Sequence, residues 1–489
     1  MTISFNDIPS NLRIPGFYIE FDNRLANNAG QQFKLLVIGQ RLSTGSVAEA
    51  VPTQVTSESQ AEEYFGRGSM LAEQLKAIKN ANNFIDTWAI ALDENVAGSV
   101  ATGTITVTGP ATETGTLNIY IGGKRVQVAV TSGDADSAIA TAIVAAVTAD
   151  TSLAVTAAAT LGVVTLTSKW KGETGNDIDV RVNYYGERLP KGVGIAIVAM
   201  ASGTGNPDIS TAIAVMGEEW YNWMVMPFTD AANLTLLETE LDSRWGPLRQ
   251  IGCRAFTAFR GNHAATVTHG DGRNNPHITC MGTNISPQPA YIWASIDAVI
   301  AAAALSIDPA RPLQTLKLTG VMAPAIEDRW TDSERNLLLF DGISSHKAYS
   351  DGSVHIDRQI TMYQENTSGL PDDSYLDVNV PETLERVRFM QRQMFSSKYP
   401  RHKLAEDDAR IGDGQAVMQP GVARAELFSL YQTMESLGLV QDYEGYKETL
   451  VVEIGDGIGG GDRNRLNLVD QPKLVGQYRI HAQQTQFRK

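Results

Sequence analysis

The sequence is poor in the residues from which reactive centres are built. Its 489 residues include two cysteines, Cys253 and Cys280, and seven histidines. Two cysteines permit one disulfide but no disulfide framework, so a reducing cytoplasm is the simplest setting. Neither HExxH nor CxxC spacing occurs, which removes the common zinc arrangements. Long apolar runs are also missing. The longest, AVIAAAALSI (298–307), follows Asp297, is too short to cross a bilayer and reads as a buried helix. The opening MTISFNDIPSNLRIPG has no basic region followed by an apolar run, so no signal peptide is expected. Positive charge is scarce: 40 Lys and Arg stand against 55 Asp and Glu, a net charge of −15. That balance argues against wholesale nucleic-acid binding and favours a soluble chain.

What is present fits a folded protein. The chain is 43% hydrophobic and 19% charged, and its length allows about two to four domains. Residues 1–30, with Pro9, Pro15 and Gly16 among short apolar pieces, read as an extended arm that needs a surface to lie on. FKLLVIGQ (33–40) and DTWAIAL (86–92) read as strands, and 59–81 as one helix between them.

Composition shifts near residue 96. From Val96 to Val130 the only charges are Glu113, Lys124 and Arg125. Alternating strands at 103–109, 115–123 and 124–130, with Gly122-Gly123 as a hairpin turn, precede a helix over 134–150. Asp134 or Asp136 is its expected N-cap, with Ile139, Ile143, Val144 and Val147 on one face. Two more strands follow in 153–169. This ββαββ unit, 96–185, reads as a β-rich α+β domain inserted into a larger one.

Strands at 193–201, 220–230, 253–261 and 277–282 then alternate with helices at 231–246 and 290–306. The rhythm predicts a mostly parallel sheet covered on both faces, an α/β core formed by 31–95 and 186–375. Asp351-Gly352 marks a hairpin within 347–363. From 376 to 469 a C-terminal α+β domain is expected, with helices from Pro381 to Lys398 and over 422–438 and a strand at 449–455. Leu384, Val387, Met390 and Met394 form the apolar stripe of the first helix. In residues 470–489, Tyr478, Ile480 and Ala482 alternate with Arg479, His481 and Gln483, the pattern of a terminal strand with one apolar face.

Three motifs bear on function. RFMQRQMFSSKYPRHK (388–403) carries Arg388, Arg392, Lys398, Arg401 and Lys403 without an acid. It is either a solvated helix face or an electrostatic footprint for an acidic partner, nucleic acid or protein; thin aromatic interleaving disfavours base stacking. HGDGRNNPH (269–277) brings His269, Asp271 and His277 close in sequence, but no suitably flanked serine is available as a nucleophile. GDGIGGGDRNR (455–465) lacks the following helix a phosphate loop requires and reads as a loop. The terminal strand either pairs within its own sheet or adds to the sheet of a neighbouring copy.

SFNDIPSNLRIPGFYIEFDN (4–23) resembles the opening of tail sheath proteins of Mu-like contractile-tailed bacteriophages, with Ile14-Pro15-Gly16-Phe17-Tyr18 in place of the family's Pro-Gly-Val-Tyr element. RNNPHITCMG (273–282), SSKYPRHKLAEDDARIGDGQAVMQP (396–420) and the closing LVGQYRIHAQQTQF extend the likeness over most of the chain outside 96–185. The resemblance implies a multidomain α/β protein with a subtilisin-like core lacking a protease site. It implies an outward-facing insert, a tube-facing C-terminal domain and terminal arms that join neighbouring subunits. It further implies stacked hexameric rings around a tail tube protein, with baseplate and tail terminator proteins as further partners, in a virion component made in the host cytoplasm. No cofactor, metal, nucleic acid or membrane is expected. On this reading the five basic residues contact the tube, and Ile14, Pro15, Gly16, Phe17, Tyr18, Tyr478, Ile480 and Ala482 belong to the connecting arms. A hydrolase using His269 or Asp271, a nucleic-acid binder, and another phage tail or injection-system component are the rival readings.

Overall fold

The structure, a computed structural model, describes residues 32–412, 414–456 and 462–488. The apolar run KLLVIGQ forms β1 (Lys34–Gln40), near the centre of the main sheet. A short edge strand, β2 (Thr53–Gln54), follows. The single helix expected over 59–81 is instead two, α1 (Glu58–Phe65) and α2 (Met70–Ala81). Gly66 and Gly68 separate them at φ +87° and +77°, a region that side chains disfavour and that reverses the chain. Ser57 and Ser69 cap the two helices through their hydroxyls. β3 (Asp86–Leu92) then runs parallel to β1 in full register.

The insert follows as β4 (Val100–Thr108), β5 (Gly115–Ile121), β6 (Lys124–Val130), α3 (Asp136–Ala149), β7 (Val155–Thr160), β8 (Val163–Lys171), β9 (Val180–Val182) and β10 (Gly194–Ala201). Gly122 and Gly123 make the β5–β6 turn at φ +56° and +84°, as their sequence predicts. Ala135 occupies the N-cap of α3 without a side-chain bond, so neither Asp134 nor Asp136 caps it; the Asp134 carboxylate accepts from the Thr131 amide instead. The strands form two sheets, β10-β4-β8-β7 and β6-β5-β9. β10, which the strand–helix rhythm placed in the core, thus closes the insert's sheet against β4. Its pattern could not separate the two, because both settings want a short Val/Ile/Ala strand.

The core resumes with α4 (Ser210–Met216), β11 (Trp223–Val225), α5 (Ala231–Trp245), β12 (Arg254–Phe259), α6 (His263–Asp271), β13 (Ile278–Gly282) and α7 (Ala290–Ile307). The sheet order is β13-β12-β11-β1-β3-β2, parallel throughout except for the edge strand β2, which confirms the expected α/β arrangement. Helix α7 has 18 residues and is long and apolar enough by those measures to cross a bilayer, unlike the shorter apolar run it contains. Twelve of its residues are buried, Asp297 among them, so it serves as the core helix. α8 (Asp332–Phe340), closed by a Thr331–Glu334 capping box, precedes the hairpin β14 (Ser345–Ala348) and β15 (Val354–Arg358), with Gly352 at φ +81° in its turn.

The C-terminal region contains α9 (Asn379–Lys398), β16 (Lys403–Leu404), β17 (Val417–Met418), α10 (Pro420–Ser436), β18 (Val440–Gln441), α11 (Tyr443–Thr449), β19 (Val451–Ile454), β20 (Leu466–Val469) and β21 (Lys473–Leu474). It has a hydrophobic core of its own built from Val387, Met394, Leu427, Tyr431, Met434 and Tyr446. Leu384, expected in the stripe of α9, is only half-buried. β19 and β20 pair antiparallel, and residues 457–461, the glycine-rich part of the segment between them, lie outside the described residues.

Candidate functional site

The basic cluster is divided by the fold. Arg388 donates to the Trp245 carbonyl at 2.6 Å, lies 4.3 Å over the Trp245 ring and pairs with Glu385. Arg392 donates to the Gln250 carbonyl at 3.2 Å and lies 5.3 Å from the Trp220 ring. Trp220 is itself held by donation from Nε1 to the Gly252 carbonyl at 2.9 Å, and Phe389 packs beside it. Below this pair, Glu382 accepts from Arg254 Nε at 3.3 Å and from Trp223 Nε1 at 3.2 Å. Burial raises the pKa of Glu382 and of Glu385 and lowers that of Arg254, with the paired charges opposing those shifts. These contacts clamp α9 to the end of α5 and to β11 and β12.

The other three cations sit at the last residue of α9 and beyond it. Lys398 pairs with Glu426 at 2.6 Å, Lys403 donates to Gln415 at 2.9 Å, and Arg401 is exposed in the turn between them. Spacing in the sequence could not separate the two groups, because Trp220 and Trp245 lie far away along the chain.

The terminal segment takes an unexpected form. Residues 475–488 contain no strand, so the alternating pattern finds no partner among the described residues. Tyr478 and Ile480 are 74% and 83% exposed, and Ala482 is exposed beside them. Arg479 turns inward and pairs with Asp377, a carboxylate also held by Arg358 at 3.2 Å. The Tyr478 carbonyl accepts from Gln314 at 3.4 Å. Asp377 was missed from the sequence, where nothing local marks it. Ile14, Pro15, Gly16, Phe17 and Tyr18 lie outside the described residues.

The histidine segment forms no catalytic array. His269 stacks on Phe259 with ring centres 4.4 Å apart, and burial lowers its pKa to about 4. His277 packs on Trp245 at 5.1 Å, and burial lowers its pKa to about 2. Asp271 is exposed. Among the described residues no group of three or more His, Cys, Asp or Glu is placed to hold a metal.

Residues 96–194 match the phage tail sheath protein beta-sandwich domain, 202–362 the central domain and 371–488 the C-terminal domain. The chain is 43% identical, over 100% of both lengths, to the Mu-like prophage FluMu tail sheath protein of Haemophilus influenzae. The chain belongs to the phage tail sheath protein family. As a tail sheath protein it is a structural component of a contractile phage tail or injection system. The sheath tail protein of Desulfitobacterium hafniense aligns with this sheath protein at 12% identity and TM-score 0.47, covering 94% of this chain and 100% of that one. A sheath complex of an extracellular contractile injection system in its contracted state aligns at 12% identity and TM-score 0.47, covering 97% and 98%.

Proposed function

We propose that this sheath protein polymerises as stacked hexameric rings around a tail tube, and that the polymer shortens to drive the tube through the host envelope. The observation that carries the reading is the terminal segment. Its apolar residues Tyr478, Ile480 and Ala482 point to solvent while Arg479 anchors it to Asp377, an arrangement suited to pairing with the sheet of another copy. Residues 14–18 are proposed to act as the matching N-terminal arm. The insert is proposed to face outward. The central domain corresponds to a subtilisin-like core without a protease site, and the protein acts without catalysis or a cofactor.

The tube contact is proposed to involve the basic group Arg388, Arg392, Lys398, Arg401 and Lys403. Within it, Arg392, Lys398, Arg401 and Lys403 are exposed, and Arg388, with the exposed Arg392, fixes the helix to the central domain. Exposed ion pairs contribute about 0–1 kcal/mol each, so such a contact holds collectively and releases during contraction. Baseplate and tail terminator proteins complete the proposed partners, in a virion assembled from subunits made in the host cytoplasm.

Negative-stain electron microscopy of the concentrated protein without a tube tests the reading. Hollow cylinders of stacked rings are expected. Persistent monomers under conditions where added tubes also recruit no subunits would overturn it.

A further inference from the structure

The insert manages its sheet edges in two different ways. The three-stranded sheet has charged edges: β6 begins with Lys124 and Arg125, and β9 carries Arg181. In the main sheet, the outer side of β13 is covered, with the Ser344 amide donating to the Cys280 carbonyl at 2.8 Å and the Met362 amide to the Ile278 carbonyl at 2.9 Å. The four-stranded sheet has neither protection. Its outer strands, β7 and β10, carry no charged residue and no proline, and each pairs on one side only. Ala158, Ala159 and Thr160 are exposed on β7, and Ala196, Val198 and Ala199 on β10. Among the described residues no further backbone bond reaches 155–160 or 194–198. A bulge between Val198 and Ala201 ends the regular part of β10. Uncharged, regular edges recruit further strands, and folded proteins ordinarily block them.

We propose that the β7 edge of one subunit meets the β10 edge of the next, continuing the sheet from insert to insert. Three arguments select a second copy of this chain as the occupant. Both open edges belong to one sheet and share one chemistry, so a single head-to-tail contact uses both. The edge pair is about five residues long and covers far less than the roughly 1,000 Å² a free-standing complex requires, so it acts only where other contacts already hold the copies together. Copies with a net charge of −15 repel one another, and these uncharged strands offer an approach with little local repulsion. The inference rests on the proposed polymerisation and gives the insert a part in lateral cohesion.

The test uses full-length protein carrying Ala158→Cys together with Val198→Cys, both at exposed positions, and scans the register with Thr156, Thr160, Gly194 and Ala196 in their place. The native Cys253 and Cys280 are buried and do not compete. Polymers and dispersed subunits are oxidised in parallel, and 158–198 type linkages between chains are read by mass spectrometry. Polymerisation should enrich such linkages roughly tenfold or more, as the effective concentration of facing edges rises. Polymers that form normally but give no linkage in any register overturn this inference alone. A chain that forms no polymer with or without the substitutions overturns the assembly reading beneath it, and the edge contact falls with it.

Discussion

Arg388 is held twice by Trp245: its guanidinium lies 4.3 Å over the indole ring and donates to the same residue's carbonyl at 2.6 Å. A helix of the C-terminal region is thereby fixed to the central domain by a residue whose charge, read along the sequence, pointed outward.

Arg388→Ala should therefore lower stability, by about 2 kcal/mol, through loss of the ring contact and of a charged hydrogen bond, with Glu385 left buried beside the gap. Arg401→Glu and Lys403→Glu should leave the unfolding midpoint nearly unchanged and weaken co-sedimentation with tubes. Thermal unfolding and a tube pelleting assay at low and high salt separate the two groups. Equal effects of all three on stability would contradict the division.

The terminal clasp gives a second expectation. Deleting residues 478–489 should leave a folded monomer that fails to polymerise, because the exposed apolar face is removed while the described core is untouched. Arg479→Gln should give a milder result, with polymers forming at higher protein concentration because the segment is no longer anchored at Asp377. Sedimentation velocity and electron microscopy check both; normal polymers after the deletion would sink the arm reading.

At the joint between insert and core, Lys124 pairs with Glu73, and Lys76 links Glu73 to Glu62 at 3.7 and 2.7 Å. Arg260 pairs with Asp179 at 2.6 Å across the same boundary, and one continuous hydrophobic cluster spans both domains. Lys124→Glu should destabilise the chain by about 1–3 kcal/mol, since Glu73 is nearly buried, and adding Glu73→Lys should recover part of the loss. A double-mutant cycle with no coupling would show that the pair does not hold the joint.

Buried ionisable groups set opposite pH trends. His269 has its pKa lowered to about 4, and the unfolded chain binds that proton nearer pH 6.5. Stability from this group is present above about pH 6.5 and declines as pH falls towards 4, at up to about 1.4 kcal/mol per pH unit. Asp297 behaves in the other direction: burial raises its pKa to about 7, so the folded state holds a proton that the unfolded state releases near 3.8. Its contribution weakens as pH rises from about 4 through 7. Asp297→Asn, which keeps an acceptor for the Gln359 amide at the position now bonded at 2.8 Å, should raise the unfolding midpoint at pH 8 and change it little at pH 5. Chemical denaturation at the two pH values tests the sign.

The sequence by itself determined the strand–helix alternation, the parallel sheet, the separate composition of the insert, the Gly122-Gly123 and Asp351-Gly352 turns, and the absence of a recognisable catalytic motif. These follow from local periodicity and from the backbone freedom of glycine, both of which act within a few residues. Tertiary structure alone decided that β10 closes the insert, and that Arg388 and Arg392 face indole rings while Arg401 faces solvent. It also decided that Arg479 reaches Asp377 and turns the apolar residues beside it outward. Each of these depends on groups a long way apart in sequence, and charge and hydropathy patterns along a chain do not record which distant surface will arrive to meet them.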